Sequence, residues 1–177
     1  MGALARNVTL EERLAFQNVV SRRSKFHYSE LSAYLDAFVS EVATAGGTSK
    51  GPAFYSLNNV PMDEITDIEI FLPVEEASLD TDAGMRFHSY VEVAPLARCV
   101  VAGDFEQQTE FTYARLLAAL EQHDLEINAP SFHVLPEDDA EYVAVYLGYA
   151  SPEPETPEQG ATVSPADALD TTRFSSE

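Results

Sequence analysis

Gly51–Val74 reads GPAFYSLNNVPMDEITDIEIFLPV, and a stretch of the same make-up returns in the second half of the chain. Gly51-Pro52-Ala53-Phe54-Tyr55-Ser56-Leu57 is answered by Ala129-Pro130-Ser131-Phe132-His133-Val134-Leu135. An acidic, turn-prone break follows each copy, Pro61-Met62-Asp63-Glu64 and then Pro136-Glu137-Asp138-Asp139. Next comes a strand of alternating side chains, Thr66–Val74 and Tyr142–Tyr149. An x-Pro-x-Phe opening, a hairpin turn and a period-two exit strand, met twice, predict an internally duplicated α+β fold.

Working outward, each hairpin is preceded by a strand and a helix. Leu14–Arg22 (LAFQNVVSR) reads as a strand on the strength of Phe16, Val19 and Val20. Ser29 then offers an N-cap, with Glu30 and Asp36 near the positive helix end. Leu31, Leu35, Phe38, Val42 and Ala45 fall on one helical face, and Gly46-Gly47 stops the helix. In the second half Arg86–Val93 is a strand, Ala94-Pro95 bends it, and Leu96–Ala102 continues as a further segment or bulged extension. A helix over Gln108–His123 follows, with Tyr113, Leu116, Leu117 and Leu120 as its apolar stripe. The hairpin strands Ser131–Leu135 and Glu141–Tyr149 complete this half. The expected organisation is a flexible lead-in over 1–13, one domain over 14–150, and a disordered acidic tail over 151–177. The domain divides into βαββ units at 14–75 and 86–150, joined by an acidic linker.

At 177 residues and 45% hydrophobic content, the chain can bury a sizeable core. It has neither an apolar run long enough to span a bilayer nor the apolar stretch of a signal peptide. With a lone Cys99 in an apolar run, the reading is a cytoplasmic protein without a disulfide. The formal charge of −20 is uneven: residues 1–50 carry six basic and five acidic side chains, residues 51–177 four against twenty-five. Such a surface repels phosphate backbones and excludes direct nucleic-acid binding. It suits a solvated acidic surface or a basic protein partner.

Two such units would form one antiparallel sheet with two helices on one face and a ligand cleft on the other. The exit strands show what each face carries. Ile68, Ile70 and Leu72 share a side opposed by Glu69 and Phe71; Val143, Val145 and Leu147 share a side opposed by Tyr142 and Tyr146. Aliphatics fit the helix-covered side. The other face then presents Glu69, Phe71, Tyr142 and Tyr146, joined by His88, Tyr90 and Glu92 from their own strand. Aromatics around one or two carboxylates suit an apolar cation; an ordinary half-exposed sheet face is the competing reading. No catalytic constellation, metal site or cofactor motif emerges: the four histidines lack ligand spacing, and the paired acids lie at hairpin turns.

Gly103-Asp104-Phe105-Glu106, then Tyr113, Leu116 and Leu117, then Leu125, Pro130 and Phe132, resembles the GyrI-like small-molecule-binding domain, the effector-binding domain of multidrug-sensing regulators. Glu69-Ile70-Phe71-Leu72-Pro73-Val74 is similar to that family's exit-strand ending, whereas the second exit strand has Ala144 at the matching place and ends Gly148-Tyr149. The chain also looks like the DUF5085 type built on the same fold. The resemblance implies a pseudo-twofold pair of βαββ units with a cleft between them, in which Glu69 fits the cation-binding glutamate pattern. No helix-turn-helix precedes the domain, so a stand-alone member is expected. The functional expectation is a binding protein that senses or sequesters a lipophilic ligand, a cation in the first instance. Its alternatives are an inhibitor or accessory module acting through the acidic surface, and a hydrolase of reactive electrophilic toxins.

Overall fold

The structure, a computed structural model, describes residues 7–59, 64–81, 84–103, 105–136 and 142–152. Strand β1 (Val8–His27) leads through a single 3-10 turn at Tyr28–Glu30 into helix α1 (Leu31–Thr44). Strands β2 (Phe54–Leu57) and β3 (Ile65–Pro73) form the first hairpin. Strand β4 (Met85–Ala102), helix α2 (Phe105–Gln122) and strands β5 (Glu126–Val134) and β6 (Tyr142–Ala150) repeat the order strand, helix, strand, strand. The α+β class is as expected.

The strands do not lie in one open sheet. They close into a barrel in the order β1-β3-β2-β5-β6-β4, with β4 returning to β1 and every pairing antiparallel. Closure follows from strand length. β1 has 20 residues and β4 has 18. β1 pairs with β3 along its second half and with β4 from Val8 to Arg22. The expected strand from Leu14 to Arg22 is thus the middle of a longer one, and Val8–Arg13 belongs to it rather than to a loose lead-in. Those residues read as polar because the ladder shifts register between Thr9 and Leu14, where Glu11 takes a φ of 60°. The Glu11 N–H donates to the Tyr149 hydroxyl, which donates back to the Glu11 carboxylate. The segments Arg86–Val93 and Leu96–Ala102 are likewise one strand, with a cis Ala94-Pro95 bond between them.

Three apolar clusters hold the molecule. Beneath α1, Phe38 and Val42 pack on Val20, Ile68, Ile70 and Leu72. Beneath α2, Leu116 and Leu120 pack on Cys99, Val145 and Leu147. Inside the barrel, Leu14, Val19, Phe54, Phe71, Leu96 and Phe132 meet. The aliphatic sides of both exit strands therefore face the helices, as their alternation predicts. Burying each large side chain contributes roughly 1.5–3 kcal/mol.

Helix α1 starts one residue later than Ser29 would place it. Its N-cap is Glu30, which makes no side-chain cap bond. Ser29 serves the preceding turn instead, its N–H donating to His27 Nδ1 at 3.3 Å. Gly46, with a φ of 94°, ends the helix as the sequence predicts. The hairpin turns at 60–63 and 137–141 and the tail over 153–177 lie outside the described residues.

Candidate ligand-binding site

Antiparallel partners point to the same side of a sheet, so register decides which side chains meet. Glu69 partners Ser56, Ser56 partners Phe132, and Phe132 partners Tyr146. Glu69 and Tyr146 therefore lie on one inward-facing row. Phe71, one row along, partners Ser21 and Phe54 and is buried in the interior cluster. His88 joins them, because it partners Val19 of the same cluster.

The polar centre of this arrangement is Ser21, which is fully buried. Its Oγ lies 2.8 Å from Glu69 Oε1 and 2.8 Å from His88 Nε2. A hydroxyl has one proton. With Ser21 donating to Glu69, the His88 Nε2–H donates to Ser21, and both side chains are aimed by one buried serine. Beside them the Arg23 guanidinium grips Asp67 as a fork, Nε to Oδ1 at 2.7 Å and Nη2 to Oδ2 at 2.9 Å. That pairing holds the Asp67 carboxyl below its ordinary range and raises Arg23. Asp67 thus satisfies Arg23 and leaves Glu69 to face a cavity of about 390 Å³ lined by Ser21, Arg23, Glu69, Gly84, Met85 and Arg86. The cavity lies where β1, β3 and the start of β4 meet, and Arg86 is exposed there.

The rings do not wall this cavity as a furrow. Phe71 stacks on Phe54 with centroids 4.7 Å apart, and Phe54 on Phe16 at 5.0 Å. They fill the barrel's interior. Tyr146 is covered by the chain's own cation, with the Arg98 guanidinium 5.9 Å from its ring centroid. Burial raises the Tyr146 hydroxyl above its ordinary pKa, opposed in part by Arg98. Tyr142 begins β6 and is exposed.

Tyr90 and Glu92 are not brought to the site. The Tyr90 hydroxyl donates to Glu92 Oε2 at 2.7 Å, and Arg13 reaches Glu92 at 3.5 Å, all on the exposed side of the strand. Strict alternation from His88 would have carried them inward. Instead Val91 and Val93 join the interior cluster, opposite Phe16 and Leu14. The pleat changes phase around Asn18, whose φ is 55°.

A buried polar cluster went unrecognised in the sequence. On the outer face, between the two helices, Tyr55 and His133 are direct strand partners. His133 Nδ1 lies 2.5 Å from the Tyr55 hydroxyl, and its Nε2 2.7 Å from the Tyr113 hydroxyl. Tyr113 in turn donates to Ser131 Oγ at 2.8 Å. Burial lowers the His133 pKa to about 4 and raises Tyr55 and Tyr113. The signal lay in the two similar stretches GPAFYSL and APSFHVL, in which Tyr55 and His133 occupy the same place.

The model of a domain of unknown function, DUF5085, matches residues 15–148. The chain belongs to the DUF5085 family. Among solved structures the DUF5085 chain is similar to EcmrR in its DNA complex, with 14% identity and a TM-score of 0.63. That alignment covers 82% of this chain and 57% of EcmrR. The isolated EcmrR C-terminal domain matches at 12% identity and TM-score 0.61, covering 82% of this chain and 99% of that one. A hydrolase from Listeria innocua matches at 12% identity and TM-score 0.46, covering 78% and 90%. At these identities the likeness is one of fold. No curated protein sequence matches the chain. Neither helix is long and apolar enough to cross a membrane among the described residues.

Proposed function

We propose that this DUF5085 chain is a GyrI-like binding module that takes a small lipophilic molecule at the Glu69 end of its barrel. The observation that carries the reading is the Glu69 carboxylate, held by Ser21, which His88 bonds in turn, and turned toward a cavity while Asp67 neutralises Arg23. A carboxylate so placed attracts a positive centre, and Met85 in the cavity wall offers apolar contact to the remainder of the ligand. Two βαββ units related by duplication account for the architecture: equivalent repeat residues Tyr55 and His133 meet as partners at the β2–β5 seam.

A thermal-shift series with tetraphenylphosphonium tests this. The native chain is stabilised by the probe, and Glu69→Gln removes the shift. Arg86→Gln, which takes a like charge from the cavity wall, strengthens binding about three-fold, the size of a modest Coulomb term near the surface. A flat response in the native chain, or an equal shift in Glu69→Gln, contradicts the proposal. The charge of −20 favours a second role for the surface, engagement of a basic protein partner. Capture of a lysine-rich protein that weakens steeply with salt supports it; capture indifferent to salt does not.

A further inference from the structure

The stripe on α2 is incompletely used. Leu116 and Leu120 are buried, but Leu117 is 46% exposed, and Ile127 on β5 is 52% exposed. Both line a cavity of about 440 Å³ on the outside of the barrel, away from Glu69. Its floor is one ladder row across three strands: Leu57 of β2 partners Ser131 of β5, and Ser131 partners Leu147 of β6. Its wall is Tyr113 and Leu117, one turn apart on α2. No lining side chain carries a charge. The Asn58 and Asn59 amides at its edge already donate to backbone carbonyls of the β2–β3 hairpin, Asn58 to Asp67 and Asn59 to Ile65. The other polar groups are hydroxyls, Tyr113 and Ser131, 2.8 Å apart; Tyr113 gives its proton to Ser131 and lies 2.7 Å from His133 Nε2, so the Ser131 hydroxyl is the donor left to a ligand oxygen.

We infer that this outer cavity is a second binding site, for a neutral, mainly apolar molecule bearing one hydrogen-bonding oxygen, a phenol or alcohol in chemical class. Leu57, Leu117, Ile127 and Leu147 supply apolar contact, and the occupant covers leucine and isoleucine surface now open to water. The ligand oxygen meets the Tyr113–Ser131 pair. An ammonium or carboxylate would enter a wall with no counter-charge and leave its water shell uncompensated. The site is independent of the cation reading at Glu69, since its residues lie on the opposite face of the sheet.

The probe is 4-butylphenol, titrated into the full chain by two-dimensional NMR for location and by calorimetry for affinity. Saturable shifts at the amides of Leu57, Leu117, Ile127 and Ser131 are expected. Leu117→Glu then weakens binding at least ten-fold and Tyr113→Phe several-fold, while butyltrimethylammonium and butyrate bind at least ten-fold more weakly than the phenol. Ile127→Glu repeats the first test on an exposed strand residue should Leu117→Glu disturb the helix. Glu69→Gln is the arm that separates the two sites: phenol binding survives it. No saturable shift at these amides overturns the inference. So do equal affinity in Leu117→Glu and Ile127→Glu, equal affinity for the charged probes, or loss of phenol binding in Glu69→Gln.

Discussion

At the scale of single residues, two titratable side chains sit in opposite surroundings. Glu69 is half-buried beside water and is aimed by a serine; His133 is 3% exposed and bonded to hydroxyls. His133 makes stability depend on pH with a definite sign. Above its unfolded pKa of 6.5 both states are neutral and no cost arises. Between 6.5 and about 4 the unfolded chain takes a proton that the folded chain refuses, so stability falls as pH falls. The loss levels near pH 4 at about 3 kcal/mol. Melting scans from pH 7 to 4.5 should therefore slope downward, and His133→Gln should flatten the slope; an unchanged slope contradicts a buried neutral imidazole. On the sheet's exposed side, Tyr90→Phe and Glu92→Gln should leave tetraphenylphosphonium binding within two-fold of native, whereas strict alternation would have them weaken it as Glu69→Gln does. That alternation placed Glu69 and Phe71 correctly from Ile68, Ile70 and Leu72. It failed for Tyr90 and Glu92 because the pleat reverses around Asn18, whose φ is positive; asparagine is one of the few non-glycine residues that enter that region readily, and Asn18 in a run of strand formers was the signal available.

Among the elements, the hairpins were the most legible, since a proline-marked opening and a period-two exit are local signals. The ends of β1 were hidden. The expected strand stops at Arg22, whereas β1 runs on to His27, and Ser21 and Arg23 line the cavity at the barrel's end. Gly148 had read only as a departure from the expected Pro-Val ending. In the fold a Cβ there would lie 2.4 Å from Ala129 Cβ, beside the register shift of β5 between Ile127 and Ser131. The close approach of β6 to β5 requires glycine. Gly148→Ala should cost about 1–3 kcal/mol, read as a lower urea midpoint at unchanged slope; a midpoint within error of native would show that the strands separate freely there.

For the molecule as a whole, closure converts the expected open cleft into a filled barrel with a polar mouth. A sheet whose apolar alternation continues on both faces needs cover on both; the helices supply one and the barrel's own curvature the other. Nothing in a local pattern announces closure, because it depends on β1 being long enough to hold β3 and β4 together. The charge of −20 acts at this scale too, as self-repulsion across the surface. Raising salt from about 0.01 M to about 0.15 M shortens the screening length from roughly 30 Å to roughly 8 Å and should raise the melting temperature; a fall would mean that specific ion pairs outweigh the net repulsion. The most direct test of the account is a crystal soaked with tetraphenylarsonium, whose arsenic gives an anomalous peak. The account predicts that peak beside the Glu69 carboxylate in native crystals and its loss in Glu69→Gln crystals. A peak elsewhere on the barrel, or one undiminished by the substitution, would contradict it.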